Sequence, residues 1–508
     1  MRNRLAGALV LCAVLDASRE LEPTAAMTIP QQDARHPFTK RRSIDVTPDG
    51  RYVAFTSYAR LVNADTNDGR DIYVLDRATG AVTVESMMAG LIAPMDSDHP
   101  DLSDDGRFLV YEAHLITETA EPLNVVLRDR QKGDARILSV GLAGARADGP
   151  SRSPSISGDG QVVAFSSAAT NLSGDADING SATDIYIAVV ASGMIERIGS
   201  SRSIDHGSSV SPVVDATGHF IAFASSVEFD PARVAAGGRQ AHLDVYVYDR
   251  SIRTTKRVSA GRQGRRTNAA SWAPAISADG RYIAFASAAS NLVADDGNQA
   301  PDVFVVDWRR ESLELISRSR IGDPGNDGSD GPSISSDGRY VAFHSEASNL
   351  VDGSRGAYGM QDVNLLPDVF LFDRHTRSMT HISRDAAGLW MEPSLEPSLD
   401  AAGRVVAFSS RHPINVGDRR NDFDLFIVAS SPPQRLAITC RRGLHAPRGF
   451  FPGAWSKHIR LALIASACLL LPGATETHAP HFPLESTDRL KLHNVTAEPA
   501  TLQGGTLQ

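Results

Sequence analysis

No cysteine lies between Cys12 and Cys440, so neither a disulfide framework nor a cysteine-zinc site can brace that stretch. No apolar run reaches the roughly 20 residues that a membrane-spanning helix needs; Leu5 to Leu15 and Leu461 to Leu471 are the longest. Basic residues are outnumbered, 51 against 60 acidic ones, and the net charge of −9 argues against a dedicated nucleic-acid binder, which needs a basic field. No G-x-S-x-G nucleophile elbow occurs. Apolar residues are not scarce: at 42% they supply a globular core and exclude global disorder.

The two short apolar runs read as targeting features. Arg2 and Arg4 precede Leu5 to Leu15, and Thr24-Ala25-Ala26 offers a small-residue cleavage site, so residues 1–26 are expected to be an export signal and the protein periplasmic or secreted. Lys457 and Arg460 precede Leu461 to Leu471, a second leader-like profile. Residues 440–508 are therefore expected to form a poorly structured tail, with a membrane contact only if 461–471 serves as an anchor.

Between these ends one pattern recurs seven times. It is clearest in Pro332-Ser-Ile-Ser-Ser-Asp-Gly-Arg-Tyr-Val-Ala-Phe-His-Ser345, followed by Asp368-Val-Phe-Leu-Phe-Asp373 and Met379-Thr-His-Ile-Ser383. The turn glycines Gly50, Gly106, Gly160, Gly218, Gly280, Gly338 and Gly403 are spaced 54 to 65 residues apart, one supersecondary unit with loops of varying length. The Asp-Gly pair between short apolar runs predicts a two-residue type I′ hairpin. The run after it, such as Tyr282-Ile-Ala-Phe285, is apolar throughout, as a strand covered on both faces should be. Each unit is expected to supply its own four antiparallel strands. With no helical period between units, the fold class is all-β, a seven-bladed β-propeller of four-stranded antiparallel blades over residues 41–439.

The S-x-D-G-R-Y-[VI]-A-F-x-S stretch followed by D-[IV]-[YF]-V-x-D resembles the TolB-type, WD-like β-propeller repeat, which also occurs in the propellers of prolyl-oligopeptidase-like enzymes. It covers about Ser43 to Ile438. The resemblance implies the fold and, by analogy, a scaffold role. The hydrolase domain of those peptidases is not implied, since its nucleophile elbow is missing.

Antiparallel connectivity sends the short turns to one face and the long loops to the other, where binding is expected. Among the long loops, Asp65, Asn67 and Asp71, and likewise Asp175, Asp177, Asn179 and Asp184, space oxygen ligands two residues apart around a glycine, a pattern that suits Ca²⁺. Asn and Asp before a strand are also ordinary turn chemistry. Arg262, Arg265, Arg266, Trp272, Arg318, Arg320 and Trp390 are read as lying in loops that join one unit to the next, and they are the residue types that dominate interface hot spots. The repeated aspartates at strand starts (Asp71, Asp184, Asp244, Asp302, Asp368, Asp424) are expected to bond loop amides, and the repeated serines have no partner His at a recognisable spacing. His99, His206, His242 and His344 fall in different units. The reading is an exported, monomeric, non-catalytic propeller that binds a protein or cell-envelope component. The alternative is a propeller enzyme, polysaccharide lyase-like or peptidase-related, with its site at the channel mouth. Convergence there of three or more His, Glu, Asp or Arg side chains would favour the enzyme, and a lining of Ser, Ala and Pro would favour binding.

Overall fold

The computed structural model describes the backbone of Met27–Pro30 and residues 43–86, 94–115, 123–174, 179–180, 182–198, 207–230, 242–294, 296–351, 366–384, 392–411 and 423–429, all within the compact unit spanning 19–438. The expected export signal and the 440–508 tail lie outside the described residues. Among those described, no helix is long and apolar enough to cross a membrane.

Seven sheets of four antiparallel strands follow one another along the chain. Blade 1 runs from its innermost strand Ile44–Val46 through Tyr52–Ser57 and Asp71–Asp76 to its outermost strand Ala81–Val84. Blades 2 to 6 repeat this order over 94–137, 151–198, 209–257, 271–315 and 329–381. Blade 7 departs from the expectation that each unit is self-sufficient. It takes three strands from Ser394–Leu399, Val405–Ser410 and Asp424–Ala429, and its outermost strand is Met27–Pro30, with Thr28 opposite Phe426 and Ile29 opposite Leu425. The tetrapeptide carries no repeat motif, so nothing in the periodic pattern pointed to it.

A separate apolar cluster fills each junction between neighbouring blades. The one between blades 7 and 1 packs Ile44, Val53 and Phe55 against Val405, Ala407 and Ile427, and the other six junctions are filled in the same way. The ring therefore closes on itself by burial of apolar surface, without cross-links. Backbone bonds add to that seam: Val46 N donates to Ser398 Oγ (3.1 Å) and Ala401 N to Pro48 O (2.9 Å). Within most blades an aromatic of the second strand stacks on one of the third, as Phe343 does on Phe370 at 5.9 Å.

The short turns differ from the expected type I′ hairpin. Only the glycine has positive φ (Gly50, 70°), and the strands pair out to Thr47 and Tyr52, leaving a four-residue loop closed by Gly50 N to Thr47 O at 2.8 Å. Asp49 serves as a side-chain acceptor, taking bonds from Thr47 Oγ1 (2.7 Å) and Arg51 N (2.9 Å). Glycine is also required by what lies beneath the turn. A Cβ on Gly338 would sit 2.3 Å from the ring of Tyr282 in the preceding blade. In four of the turns the residue after the glycine is an arginine that is locked too (Arg51, Arg107, Arg281, Arg339): Arg339 meets Asp373 at 2.6 Å while lying over the Tyr340 ring.

Candidate functional site

The innermost strands line the axis, and six of them carry a β-bulge just before a proline. The bulged residues are His99, Ser153, Ser211, Ala273, Gly331 and Glu396, with φ between 49° and 60°. Register shifts in the strand pairing mark the same positions. A left-handed backbone costs a non-glycine residue roughly 1–2 kcal/mol, and a bulge re-aims its side chain. Here all six residues line two adjoining cavities that share Ile44, Asp45 and Ala273. These bulges lie toward the long-loop end of the inner strands. Ser43 in blade 1 occupies the corresponding position.

Most of that lining is Ser, Ala, Gly and Pro; His99 is one of its ionisable members, and behind it lies a buried charged cluster. His99 Nδ1 lies 3.2 Å from Glu112 Oε1 and 3.8 Å from Asp98 Oδ2, and Arg70 donates to Asp98 Oδ2 at 2.7 Å. Ser153 N donates to Glu112 Oε1 at 2.5 Å. Burial pushes the Glu112 carboxyl up, but His99 beside it and the Ser153 amide outweigh that and hold it below the usual range. Glu396, across the seam in blade 7, accepts from the Ser43 hydroxyl and from Ser43 N at 3.3 Å. Enclosure in the channel pushes Glu396 up to about 7; its Ser43 bonds oppose the rise and nearby Asp98 adds to it. In blade 6, Gly331 makes room for His344, whose Cε1 would lie 2.7 Å from a Cβ at that position. The sequence reading had treated His99 and His344 as scattered and had singled out neither Glu112 nor Glu396.

The lining is thus mainly of small residues, and the chain of ionisable side chains Arg70–Asp98–His99–Glu112 reaches the cavities through His99 alone. Among the described residues no group of three or more His, Cys, Asp or Glu is arranged to hold a metal ion.

The proposed Ca²⁺ loops fall at the long-loop face, with Asp175 and Asp177 outside the described residues. Asp65 accepts from the Tyr73 hydroxyl and from Asn67 N (3.3 Å). Asp71 accepts from Ser86 Oγ at 2.5 Å, and burial raises its carboxyl to about 6. Asn179 turns its amide nitrogen toward Asp184 (3.1 Å), as Asn298 does toward Asp302 (2.8 Å). The strand-start aspartates therefore take serine hydroxyls, such as Ser317 on Asp302 at 2.6 Å, more than loop amides. The repeated serines pair across strands, as Ser271 does with Ser287 at 2.9 Å, which gives them a structural role.

The basic residues divide in two. Trp272 is not in a loop but in the innermost strand Ser271–Ile276, because the loop ends one residue earlier, and its indole donates to Asp330 at 2.8 Å. Arg266 pairs with buried Glu228 (3.1 Å), and Arg318 with Glu314 (3.5 Å) over the Phe372 ring. Arg262, Arg265 and Arg320 are exposed; Trp390 lies outside the described residues. Arg262 and Arg265 sit on the 3-10 turn Arg262–Gly264, closed by Gly261 N to Arg265 O at 3.0 Å. That loop is pinned to the next blade: Arg262 N donates to Asn291 O (3.0 Å), and Asn291 Nδ2 to Arg266 O (2.7 Å). Asn171 and Asn349 hold the equivalent loops near Arg146 and Pro324.

No family model matches the chain, and no curated protein matches it. Among solved structures it is similar to TolB from Acinetobacter baumannii (16% identity over 61% of this chain and 58% of that one, TM-score 0.35). It is also similar to an oligogalacturonate lyase in complex with manganese (12%, 82% and 95%, 0.47) and to the β-propeller domain of the Trilobed protease from Pyrococcus furiosus (12%, 72% and 90%, 0.43). The chain spans 58% of the length of that TolB. The propeller architecture itself rests on the strand pairing and the closed ring of blade junctions described above.

Proposed function

We propose that the chain is an exported, non-catalytic β-propeller that binds a protein or cell-envelope component through its long-loop face. The observation that carries this reading is the pinned loop bearing exposed Arg262 and Arg265. Its counterpart two blades earlier, Leu142–Gly144, has the same backbone and no arginine at the equivalent turn, so the arginines are not needed to build the turn. A loop held in one conformation loses little entropy on binding, and arginine is enriched among interface hot spots. Export is supported by the leader-like start. The test is photo-crosslinking from position 265 in envelope extract, with Arg262→Ala/Arg265→Ala as the comparison in pull-down. A discrete adduct and loss of its capture support the reading; equal capture by the double variant removes this patch from it.

A second reading, catalysis in the channel, is favoured by one specific observation, the convergence of Arg70, Asp98, His99 and Glu112. It is tested by turnover of acidic polysaccharide and peptide panels by the wild-type protein and His99→Ala.

A further inference from the structure

The seven blades provide their own comparison: a residue needed by the repeat recurs at its position in each unit, and a residue that breaks the series answers to something else. At the axial bulge the series is Ser43, His99, Ser153, Ser211, Ala273, Gly331 and Glu396. Five members are small and two are ionisable. Glu396 also sits in the left-handed conformation that the small residues tolerate no worse, so the carboxylate is not there to ease the backbone. One of its oxygens takes both Ser43 donors, while the residue lines the cavity opposite Gly331 and His344. Gly331 is the smallest member of the series; the room above it is taken by the His344 ring, which lines the same cavity as Glu396.

We propose that Glu396, set between Ser43 and His344 at the long-loop end of the channel, is a binding site for an alkylammonium group, which enters the cavity beside Gly331 and donates to the Glu396 carboxylate. A neutral donor would gain one hydrogen bond there, whereas a cation also supplies the countercharge that an enclosed carboxylate lacks. The site stands apart from the long-loop arginines, and its success or failure is read separately from theirs.

The groups facing Glu396 are Asp98 and His99 from blade 2, Asp45 from blade 1, and Asp330 and His344 from blade 6. Acidification protonates the carboxylate, and a neutral carboxyl no longer attracts a cation. Binding therefore weakens as pH falls. With Glu396 titrating at about 7, the ionised fraction drops roughly tenfold between pH 8 and pH 6, and affinity follows it.

The test is calorimetric titration of the full chain with Nα-acetyl-lysine amide, its Nα,Nε-diacetyl counterpart and butylamine, at pH 8 and pH 6, using wild type, Glu396→Gln and the exposed-carboxylate control Asp68→Asn. The expected result is binding of the two charged probes at pH 8, roughly tenfold weaker at pH 6, no binding of the diacetyl form, loss in Glu396→Gln and retention in Asp68→Asn. Tighter binding of the lysine derivative would point to a polypeptide side chain as the source, and tighter binding of butylamine to a small free amine. Thermal melting confirms that Glu396→Gln is folded. Absence of binding at pH 8, equal binding by Glu396→Gln, or equal binding of the diacetyl probe overturns the assignment.

Discussion

Ser43 donates from its hydroxyl and its amide to Glu396, 353 residues further along the chain, and so fastens the first blade to the last on the channel side. The same seam is fastened at the rim by Met27–Pro30 on Asp424–Ala429. These two contacts of very high sequence separation flank the apolar cluster that closes the ring, whose other junctions join consecutive blades.

Stability should fall as pH rises between about 4.5 and about 7. Glu396 is raised from 4.5 to about 7 in the fold, so the native state binds its proton more tightly than the unfolded chain, and its contribution is full below 4.5 and lost through 7. Asp71 and Asp302, raised to about 6, add to the same slope. Thermal midpoints measured from pH 4 to pH 8 should show a shallower fall in Glu396→Gln than in wild type; superimposable curves would contradict the assignment.

Gly338→Ala should destabilise by roughly 2–5 kcal/mol, combining a left-handed residue with an overpacked contact. The added methyl meets the Tyr282 ring rather than a mobile chain end, so relaxation is costly. Urea unfolding of this variant beside Asp68→Asn, whose carboxylate is exposed, measures the difference.

Deleting residues 27–30 should lower the thermal midpoint and cause concentration-dependent association. Without its partner, Asp424–Ala429 becomes an apolar edge with unpaired backbone groups. Light scattering against concentration, with an unchanged monomer as the contrary outcome, checks this.

Millimolar Ca²⁺ should leave the thermal midpoint unchanged. Asp184 already pairs with Arg197 at 3.0 Å and takes the Asn179 amide, and Asp302 takes the Asn298 amide and the Ser317 hydroxyl, so a cation would have to displace these partners. A rise in midpoint with added Ca²⁺ would show that the loops re-form around the ion.

The blades were legible because an Asp-Gly turn, an all-apolar second strand and an aspartate-started third strand recur in register, and each has a local physical cause. The closing strand was not, since Met27–Pro30 is placed by pairing with an edge some 400 residues away. The hairpin type was misread because Asp-Gly suits both a two-residue loop and the second half of a four-residue one. Trp272 is the second residue of its strand, so a boundary set two residues later puts it in the loop. The axial arc left a trace in the sequence: lining up the x-Pro dipeptides sets His99-Pro100 and Glu396-Pro397 beside Ser153-Pro154, Ser211-Pro212 and Ala273-Pro274.

The borrowed fourth strand of blade 7 also sets a timetable. During synthesis Met27–Pro30 emerges early and its acceptor edge among the last parts of the ring, so the tetrapeptide waits while six complete blades assemble ahead of its use. Closure depends on a contact of near-maximal separation, the slowest kind to find. Until then the nascent molecule is an open arc with two raw apolar flanks, and that interval is when proteases and sticky neighbours have their best opportunity.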